Sequence, residues 1–445
     1  MPQQADEQRK GDAVPATKMQ AGILDPPPEH LLAAALTFMP TAASDCQGAL
    51  RSLRELIRRE LAADINEIDP ESNPAAPSAD TGELGVDTGY DTTNLIVTLG
   101  VSSSGFQRLG VSQDQLPQDL IPIDWDSFGD KPTNPNEGDL VLLISAESSY
   151  IVEHVLRRIG HELGNQLSIV WTLAGEQRNG GRSHGGPLTA DSARALIGFH
   201  DGLSNLDPTD LADQALIFVG QDGAPPCPAP PPAGPQPPPQ PGEPGYGQQG
   251  TPGPIFPPGL RQPPPTEPPW TKDGSYVMVR ASGLNTGQWD QNTLQQQEQV
   301  VGRWKYSGAT LDNPNEAAHR HDPPIFAADP ANNQVPLTSH IRRANPRALP
   351  TDVLRRIFRR GYPLILPSVQ GPLDLGLLFV AFGRSLSCQV EFIMRAWLKN
   401  KDFPVPGSGV DPLLALETQV LAGGYYFVPP VADPNEPWNW VVPGT

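Results

Sequence analysis

Short apolar runs alternate with amphipathic segments along the first half of the chain. The apolar runs predict strands, and apolar positions recurring at three- and four-residue steps predict amphipathic helices. The predicted strands cover residues 31–38, 93–101, 138–147 and 167–177, and the predicted helices cover residues 46–61 and 148–165. The order strand, helix, strand, strand, helix, strand is the pattern of a ferredoxin-like unit.

The second half of the chain offers the same ingredients. Its predicted strands cover residues 274–283, 375–383 and 423–430, and its predicted helices cover residues 292–305 and 385–400. We therefore expect an α+β fold in which two ferredoxin-like halves lie side by side.

Between the halves the composition changes abruptly to a proline-rich segment. Proline lacks a backbone donor and has a fixed φ, which excludes helices and central strands from this segment. It is predicted to be a polyproline-type linker or surface insertion, and a passive spacer is favoured over a docking site for proline-reading domains. The predicted division is a mobile polar segment at 1–24, a first half at 25–222, the proline-rich segment at 223–270 and a second half at 271–445.

Charge narrows the range of partners. The formal net charge is -19 and the pI is about 4.8, so the average field repels nucleic acids and anionic membranes. The polar N-terminus shows no apolar signal region, and the first apolar run is too short to cross a bilayer. We expect a soluble protein, cytoplasmic or secreted without a visible leader. Its three cysteines form no recognisable disulfide or metal-binding pattern.

Three short segments carry candidate chemistry. Residues 198–205, GFHDGLSN, place glycines around Asp201, and residues 339–347, SHIRRANPR, place arginines after a histidine. Residues 358–363, FRRGYP, add two more arginines. Clustered guanidinium groups suit the binding of carboxylates or phosphates. From these residues alone, an ordinary Asp-Gly turn and a cationic surface patch remain open.

Together and in this order, the three segments resemble the signature segments of dye-decolorizing peroxidases, a family of haem peroxidases. The segments GSYVMVRASG, LGLLFVAFG and GGYYFVPP fit the same family. The resemblance implies that the two ferredoxin-like halves form a dimeric α+β barrel-type fold. It also implies one b-type haem per chain, held mainly by the second half.

On the proximal side of the haem, the resemblance implies that His340 is the iron ligand. Asp411 is expected to accept the other N–H of this imidazole, which makes the ring a better donor to the metal. Arg342 and Arg343 are the expected partners of the haem propionates.

On the distal side, the resemblance implies that Asp201 is the acid-base residue and Arg359 the charge-stabilising arginine. Leu377 and Phe379 match the apolar residues that roof the distal pocket. One positioned carboxyl group can move the peroxide proton between its two oxygens, and a fixed guanidinium can stabilise the negative charge that develops.

The function implied is a peroxidase that uses hydrogen peroxide to oxidise bulky aromatic donors, such as dyes and phenols, in one-electron steps through a high-valent haem state. The alternatives are a haem-binding or iron-retrieval protein without peroxidase turnover, and a scaffold built on the proline-rich segment. We expect a monomer or homodimer. Candidate residues for electron transfer at the surface, by residue type only, are Trp289, Trp304, Tyr306, Trp397, Tyr425 and Tyr426.

Three further histidines are weighed against the same pattern. His200 adjoins Asp201, and we expect it to point away from the iron. His319 and His321 have a spacing that could bind a metal on a strand, but a solvated loop near the haem edge is favoured.

Overall fold

The computed structural model describes residues 18–39, 43–62, 94–177, 194–238, 252–324, 334–366 and 374–445. Within these ranges, the apolar runs of both halves join into one closed antiparallel barrel of eight strands. The helices of the first half are α1 (Ala43–Ala62), α2 (Ser103–Arg108), α3 (Ser149–Leu163) and α4 (Leu211–Ile217). Its strands are β1 (His30–Phe38), β2 (Ile96–Val101), β3 (Leu140–Ala146) and β4 (Leu167–Glu176).

In the proline-rich segment, β5 (Gly234–Pro235) pairs with β6 (Ile255–Phe256) outside the barrel. The strands of the second half are β7 (Ser275–Leu284), β8 (Phe358–Leu366), β9 (Asp374–Gly383) and β10 (Glu417–Val428). Its helices are α5 (Thr286–Asp290), α6 (Leu294–Val301), α7 (His340–Ala344) and α8 (Val390–Phe392), the last continued by a π-helical stretch, Ile393–Leu398.

The strand order confirms the predicted ferredoxin-like halves. The barrel runs β1-β3-β2-β10-β7-β9-β8-β4, so each half contributes its four strands in the order fourth, first, third, second. Single register pairs join the halves, Phe427 with Val101 and Gly175 with Leu364. The two sheets thereby close on each other, which leaves neither sheet with an open edge.

Alternation along the strands divides the core into two layers. Leu31 and Ala33 of β1, Tyr362 of β8 and Tyr426 of β10 belong to the cluster inside the barrel. Their neighbours on the strands face outward and pack under the helices, as Leu32 does. Among the described helices, none is both long enough and apolar enough to cross a membrane.

Two elements differ from the sequence prediction. Residues 358–366 form β8, although two arginines, a glycine and a proline make this stretch a poor strand by pattern; nine register pairs with β9 hold it in the sheet. The helix predicted over residues 385–400 begins only at Val390. The hydroxyl groups of Ser385 and Ser387 both donate to the buried carboxylate of Asp119, at 2.5 and 2.9 Å, which holds the preceding residues in a turn.

The N-terminal segment predicted to be mobile falls partly on residues 1–17, outside the described residues. Its last residues are part of the fold. The Gln20 amide donates to the carbonyls of Leu99 and Pro429, at 3.1 and 2.7 Å, and Ile23 is fully buried. Residues 20–23, which the prediction assigned to the mobile segment, therefore belong to the folded first half.

The described part of the proline-rich segment packs on the second half. Phe256 is buried against Phe392 and Phe403, with ring centroids 6.4 and 6.2 Å apart. The Arg261 guanidinium forms ion pairs with the nearly buried carboxylates of Asp119 and Glu391, at 3.0 and 2.7 Å. These contacts place residues 256–261 beside the helix that follows β9.

A half-buried carboxylate connects the first half to β10. Glu137 accepts hydrogen bonds from the backbone N–H of Ile123 at 2.9 Å and of Tyr425 at 2.8 Å. Burial raises the pKa of Glu137 to about 7, although these two hydrogen bonds lower it. The folded state therefore binds a proton at Glu137 more tightly than the unfolded state does.

We expect the free energy of unfolding of the wild type to fall as the pH rises from about 5 to about 8. The reason is that Glu137 ionises in the unfolded chain first and in the folded chain only near pH 7. The variant Glu137→Gln cannot ionise. The free energy of unfolding of the variant minus that of wild type should therefore be about 1–3 kcal/mol larger at pH 8 than at pH 5. Urea unfolding of both proteins at the two pH values measures this difference, and a constant difference would contradict the assignment.

Candidate active site

The loop 198–205 holds Asp201 through backbone conformations that favour glycine. Gly198 and Gly202 have φ of 84° and 72°, and Ser204 also has a positive φ of 56°. A Cβ at Gly198 would lie 2.8 Å from Cε of Lys305. The glycines therefore allow a sharply turned loop to pass close to its neighbours while it presents the carboxylate of Asp201.

Asn205 fastens the end of this loop to β8. Its side-chain amide donates to the carbonyl of Arg359 at 2.9 Å and accepts from the backbone N–H of Arg359 at 3.0 Å. The Arg359 guanidinium in turn donates to the carbonyl of Leu203 at 2.9 Å. These three hydrogen bonds fix the Asp201 loop relative to Arg359. Burial lowers the pKa of Arg359, and the charge of Asp201 opposes part of this lowering.

The predicted distal residues share the outer face of β8 and β9. Phe358 and Tyr362 point into the barrel, so Arg359 and Gly361 face outward, as do Leu377 and Phe379 on β9. A Cβ at Gly361 would lie 3.6 Å from Oδ2 of Asp201 and 3.5 Å from Cδ1 of Leu377. Because Gly361 has no side chain, the Asp201 carboxylate and the Leu377 side chain can both lie close to the backbone of β8 at this position.

A concentration of positive charge lies next to this face. The pKa of Arg303 is lowered to about 10 by burial first, and then by the charges of Arg347 and Arg359. The pKa of Arg347 is likewise lowered to about 10, by burial and by Arg356, while Asp312 acts in the opposite direction on both. Guanidinium groups whose charges lower one another's pKa favour the binding of an anionic ligand between them.

Arg303 and Arg347 lie beside the candidate site, and neither is among the residues to which the sequence prediction gave a role. Arg347 ends the segment SHIRRANPR, so its presence in the motif was a usable signal. Arg303 stands alone after α6 and carries no such signal; only the fold places its guanidinium 2.8 Å from the hydroxyl oxygen of Ser204.

His340 lies at the start of α7, and its ring contacts a buried carboxylate. Its Nδ1 is 3.2 and 3.1 Å from the two carboxylate oxygens of Asp411. Asp411 is fully buried, and its Oδ1 also accepts from the backbone N–H of Leu413 at 2.9 Å. A carboxylate oxygen accepts a hydrogen bond from a ring N–H, so this contact favours the tautomer with the proton on Nδ1, which leaves Nε2 to a ligand.

The two arginines next in α7 face the protein interior. Arg343 is fully buried, and its Nη atoms donate to the carbonyls of Gly409, Trp397 and Asn400. This guanidinium therefore fastens α7 to the π-helical stretch, which differs from its predicted contact with a haem propionate. Arg342 is 7% exposed and donates to the carbonyl of Val335 at 3.2 Å.

The two sides of the site meet at Gly302 and Arg303. Gly302 has a φ of 91°, and a Cβ there would lie 2.6 Å from Cγ1 of Ile341 and 2.9 Å from Oγ of Ser339. Arg303 then contacts Ser204 in the Asp201 loop. The helix that carries His340 and the loop that carries Asp201 therefore pack on the same two-residue segment.

Two of the other histidines considered from the sequence, His200 and His319, have contacts of their own. Nε2 of His200 lies 2.9 Å from Nη2 of Arg194 and 3.2 Å from the carbonyl oxygen of Tyr306. His319 pairs with Asp322 at 2.7 Å. In the described part of the chain, no group of three His, Cys, Asp or Glu side chains is arranged to hold a metal ion.

Of the aromatic residues considered for electron transfer, Tyr306 is 79% exposed and Trp304 is half-buried. The other four are almost fully buried: Trp289, Trp397, Tyr425 and Tyr426.

Replacement of Asn205 tests how the Asp201 loop is held. Asn205→Ala removes both hydrogen bonds to the Arg359 backbone and should lower the free energy of unfolding by about 1–3 kcal/mol. Asn205→Asp keeps the acceptor for the Arg359 N–H and should fall between wild type and the alanine variant. Urea unfolding measures all three, and an alanine variant as stable as wild type would remove Asn205 as the fastening residue.

Family models match both halves of the chain. The model described as Dyp-type peroxidase, N-terminal matches residues 20–176, and the model described as Dyp-type peroxidase, C-terminal matches residues 261–433. Among solved structures, a DyP-type peroxidase from Cellulomonas bogoriensis aligns with a TM-score of 0.65 at 22% identity, covering 97% of this chain and 96% of that one. The oxyferrous complex of DtpA from Streptomyces lividans aligns with a TM-score of 0.68 at 23% identity, covering 95% and 94%.

Among curated proteins, Deferrochelatase from Shigella flexneri serotype 5b is 30% identical over 94% of this chain and 84% of its own length. Deferrochelatase from Escherichia coli K12 matches with the same identity and coverage. With the family models on both halves and relatives at this identity along nearly the whole length, the chain belongs to the Dyp-type peroxidase family.

Proposed function

We propose that this protein is a haem peroxidase that uses hydrogen peroxide to oxidise aromatic donors in one-electron steps. The observation that carries the proposal is that the Asp201 loop is bonded to Arg359, while Gly302 and Arg303 contact both this loop and the two residues that flank His340. Family membership supports the type of reaction. The positions of these side chains support the assignment of catalytic roles to them.

The donor set fits a b-type haem, one per chain. Nε2 of His340 would hold the haem iron, because the Asp411 carboxylate already engages Nδ1. Arg303 and Arg347 are the proposed partners of the propionates, since they concentrate positive charge beside the site. When bound, haem supplies the iron that exchanges electrons with peroxide and with the donor.

The roles of the side chains follow from their positions. Asp411 orients the His340 ring and strengthens its basicity, as carboxylates do behind metal-bound imidazoles. Asp201 takes the proton from one peroxide oxygen and delivers it to the other. Arg359, fixed by Asn205, stabilises the negative charge that develops as the oxygen–oxygen bond breaks.

Bulky donors are proposed to react at the protein surface. The side chains of Leu377 and Phe379 cover part of the outer face of β9 beside the site, so that only small molecules can enter there. Tyr306 is 79% exposed, and its carbonyl lies 3.2 Å from the ring of His200, the neighbour of Asp201. It is therefore the proposed surface residue through which electrons reach the site.

The name of the curated relatives favours a second candidate function. Deferrochelatase suggests a haem-binding protein that retrieves iron without peroxidase turnover. Both candidates need haem at His340, so they differ in their reaction with peroxide and with aromatic donors.

We expect His340→Ala to abolish stable haem binding, because it removes the proposed iron ligand. Haem content per chain and the Soret absorbance measure this loss. His161→Ala serves as the control, since His161 lies in the last turn of α3, outside the candidate site. A normal five-coordinate haem spectrum in the His340 variant would remove His340 as the ligand.

We expect Asp201→Asn and Arg359→Leu to keep haem but to slow the reaction with peroxide by about 100-fold or more, since each removes a positioned catalytic group. Stopped-flow mixing with peroxide, followed at the Soret band, measures the rate. Asp222→Asn is a matched control, because this carboxylate is 96% exposed.

Unchanged rates in both variants would refute the distal assignments. A wild-type protein that binds haem but oxidises no aromatic donor in the presence of peroxide would support the second candidate function instead.

A further inference from the structure

One buried arginine brings the proline-rich segment against the turn before α8. The Arg355 guanidinium donates to the carbonyl of Cys388 at 2.9 Å through Nη1. Through Nη2 it donates to the carbonyls of Pro228 and Ala229, at 3.2 and 3.0 Å. The backbone beside Cys227 and the backbone of Cys388 therefore share one guanidinium, and Arg355 is only 3% exposed.

The two thiols at this junction touch each other. Cys227 and Cys388 are both free, and their side chains form a hydrogen bond. Cys388 is fully buried, whereas Cys227 is half-buried and so lies nearer to solvent. A disulfide forms only between cysteines whose thiol groups lie close together, and the hydrogen bond between these two thiols meets that condition.

The surroundings make the two thiols unequal. The hydrogen bond from Cys388, together with the charge of Arg384, lowers the pKa of Cys227 to about 7 against the effect of burial. The hydrogen bond with Cys227 and burial raise the pKa of Cys388. Two guanidinium nitrogens of Arg384, Nε and Nη2, are buried without a hydrogen-bond partner among the described residues.

We propose that Cys227 and Cys388 are an oxidisable thiol pair that hydrogen peroxide converts to a disulfide, which ties the proline-rich segment to the turn before α8. Cys227 is the thiol that peroxide attacks, because it is the more exposed and the more acidic of the two. Cys388 is the thiol that resolves the product. This modification goes beyond the proposed function, since it requires peroxide but neither haem nor Asp201.

The chemistry balances with peroxide as the only oxidant. The Cys227 thiolate attacks one peroxide oxygen, the oxygen–oxygen bond breaks, hydroxide leaves, and Cys227 becomes a sulfenic acid. The hydroxide takes the Cys388 proton, and the resulting thiolate attacks the Cys227 sulfur. The sulfur–oxygen bond breaks, and the departing hydroxide takes a proton to form water. Overall, two thiols and one peroxide give one disulfide and two waters.

The full-length protein tests this directly. The reduced protein is freed of reductant, treated with a small excess of hydrogen peroxide, quenched with catalase and alkylated with N-ethylmaleimide. We expect the count of free thiols to fall from three to one, and a non-reduced peptide map to contain a Cys227–Cys388 cross-linked peptide that dithiothreitol removes.

Variants assign the two roles. Cys46→Ser is the matched control, because Cys46 lies on α1 and is buried away from the pair; it should form the same cross-link. Cys227→Ser should form no cross-link. Cys388→Ser should accumulate a sulfenic acid at Cys227, which dimedone traps. The wild-type peptide map decides the question even if a serine variant does not fold.

The proposal is overturned if wild type keeps three free thiols after peroxide, if Cys227 is oxidised without pairing, or if either cysteine pairs with Cys46. Repeating the treatment on Asp201→Asn separates the two proposals. Equal cross-linking in that variant supports direct oxidation of the thiols, and loss of cross-linking there would show that the reaction depends on the peroxidase site and would overturn the direct route.

Discussion

The contact between the Asp411 carboxylate and the imidazole of His340 is the interaction on which the site depends. Asp411 is fully buried and accepts a backbone N–H from Leu413, so its position is fixed before any ligand binds. It therefore favours the proton on Nδ1 of His340 and leaves Nε2 to the proposed ligand. Arg343 contributes to the same constraint by fastening α7 to the π-helical stretch.

Closure of the barrel positions the opposite side of the site. Because the interior is filled by residues such as Tyr362, the alternate residues of β8 must face outward, and Arg359 is one of them. Asn205 and the carbonyl of Leu203 then hold the loop after Gly198 beside Arg359. The position of Arg359 on β8 and the short glycine-containing loop together hold the Asp201 carboxylate and the Arg359 guanidinium next to each other.

Much of the fold could be predicted from sequence, because the barrel strands are mostly continuous apolar runs. Strand β8 could not, since its arginines, glycine and proline mask its pairing with β9. Among site residues, His340, Asp201 and Arg359 stand in recognisable segments. Arg303 stands in none, and the proline-rich segment gives no hint that Phe256 and Arg261 pack on the second half.

The sequence by itself determined the repeated strand and helix order and the local conformation of the GFHDGLSN loop, because apolar spacing and glycine act over a few neighbouring residues. Only the tertiary structure decided which arginines surround the site, that Arg343 serves the backbone, and that Cys227 touches Cys388. These outcomes depend on which distant segments the closed barrel and its packed helices bring into contact, and that information is spread over the whole chain.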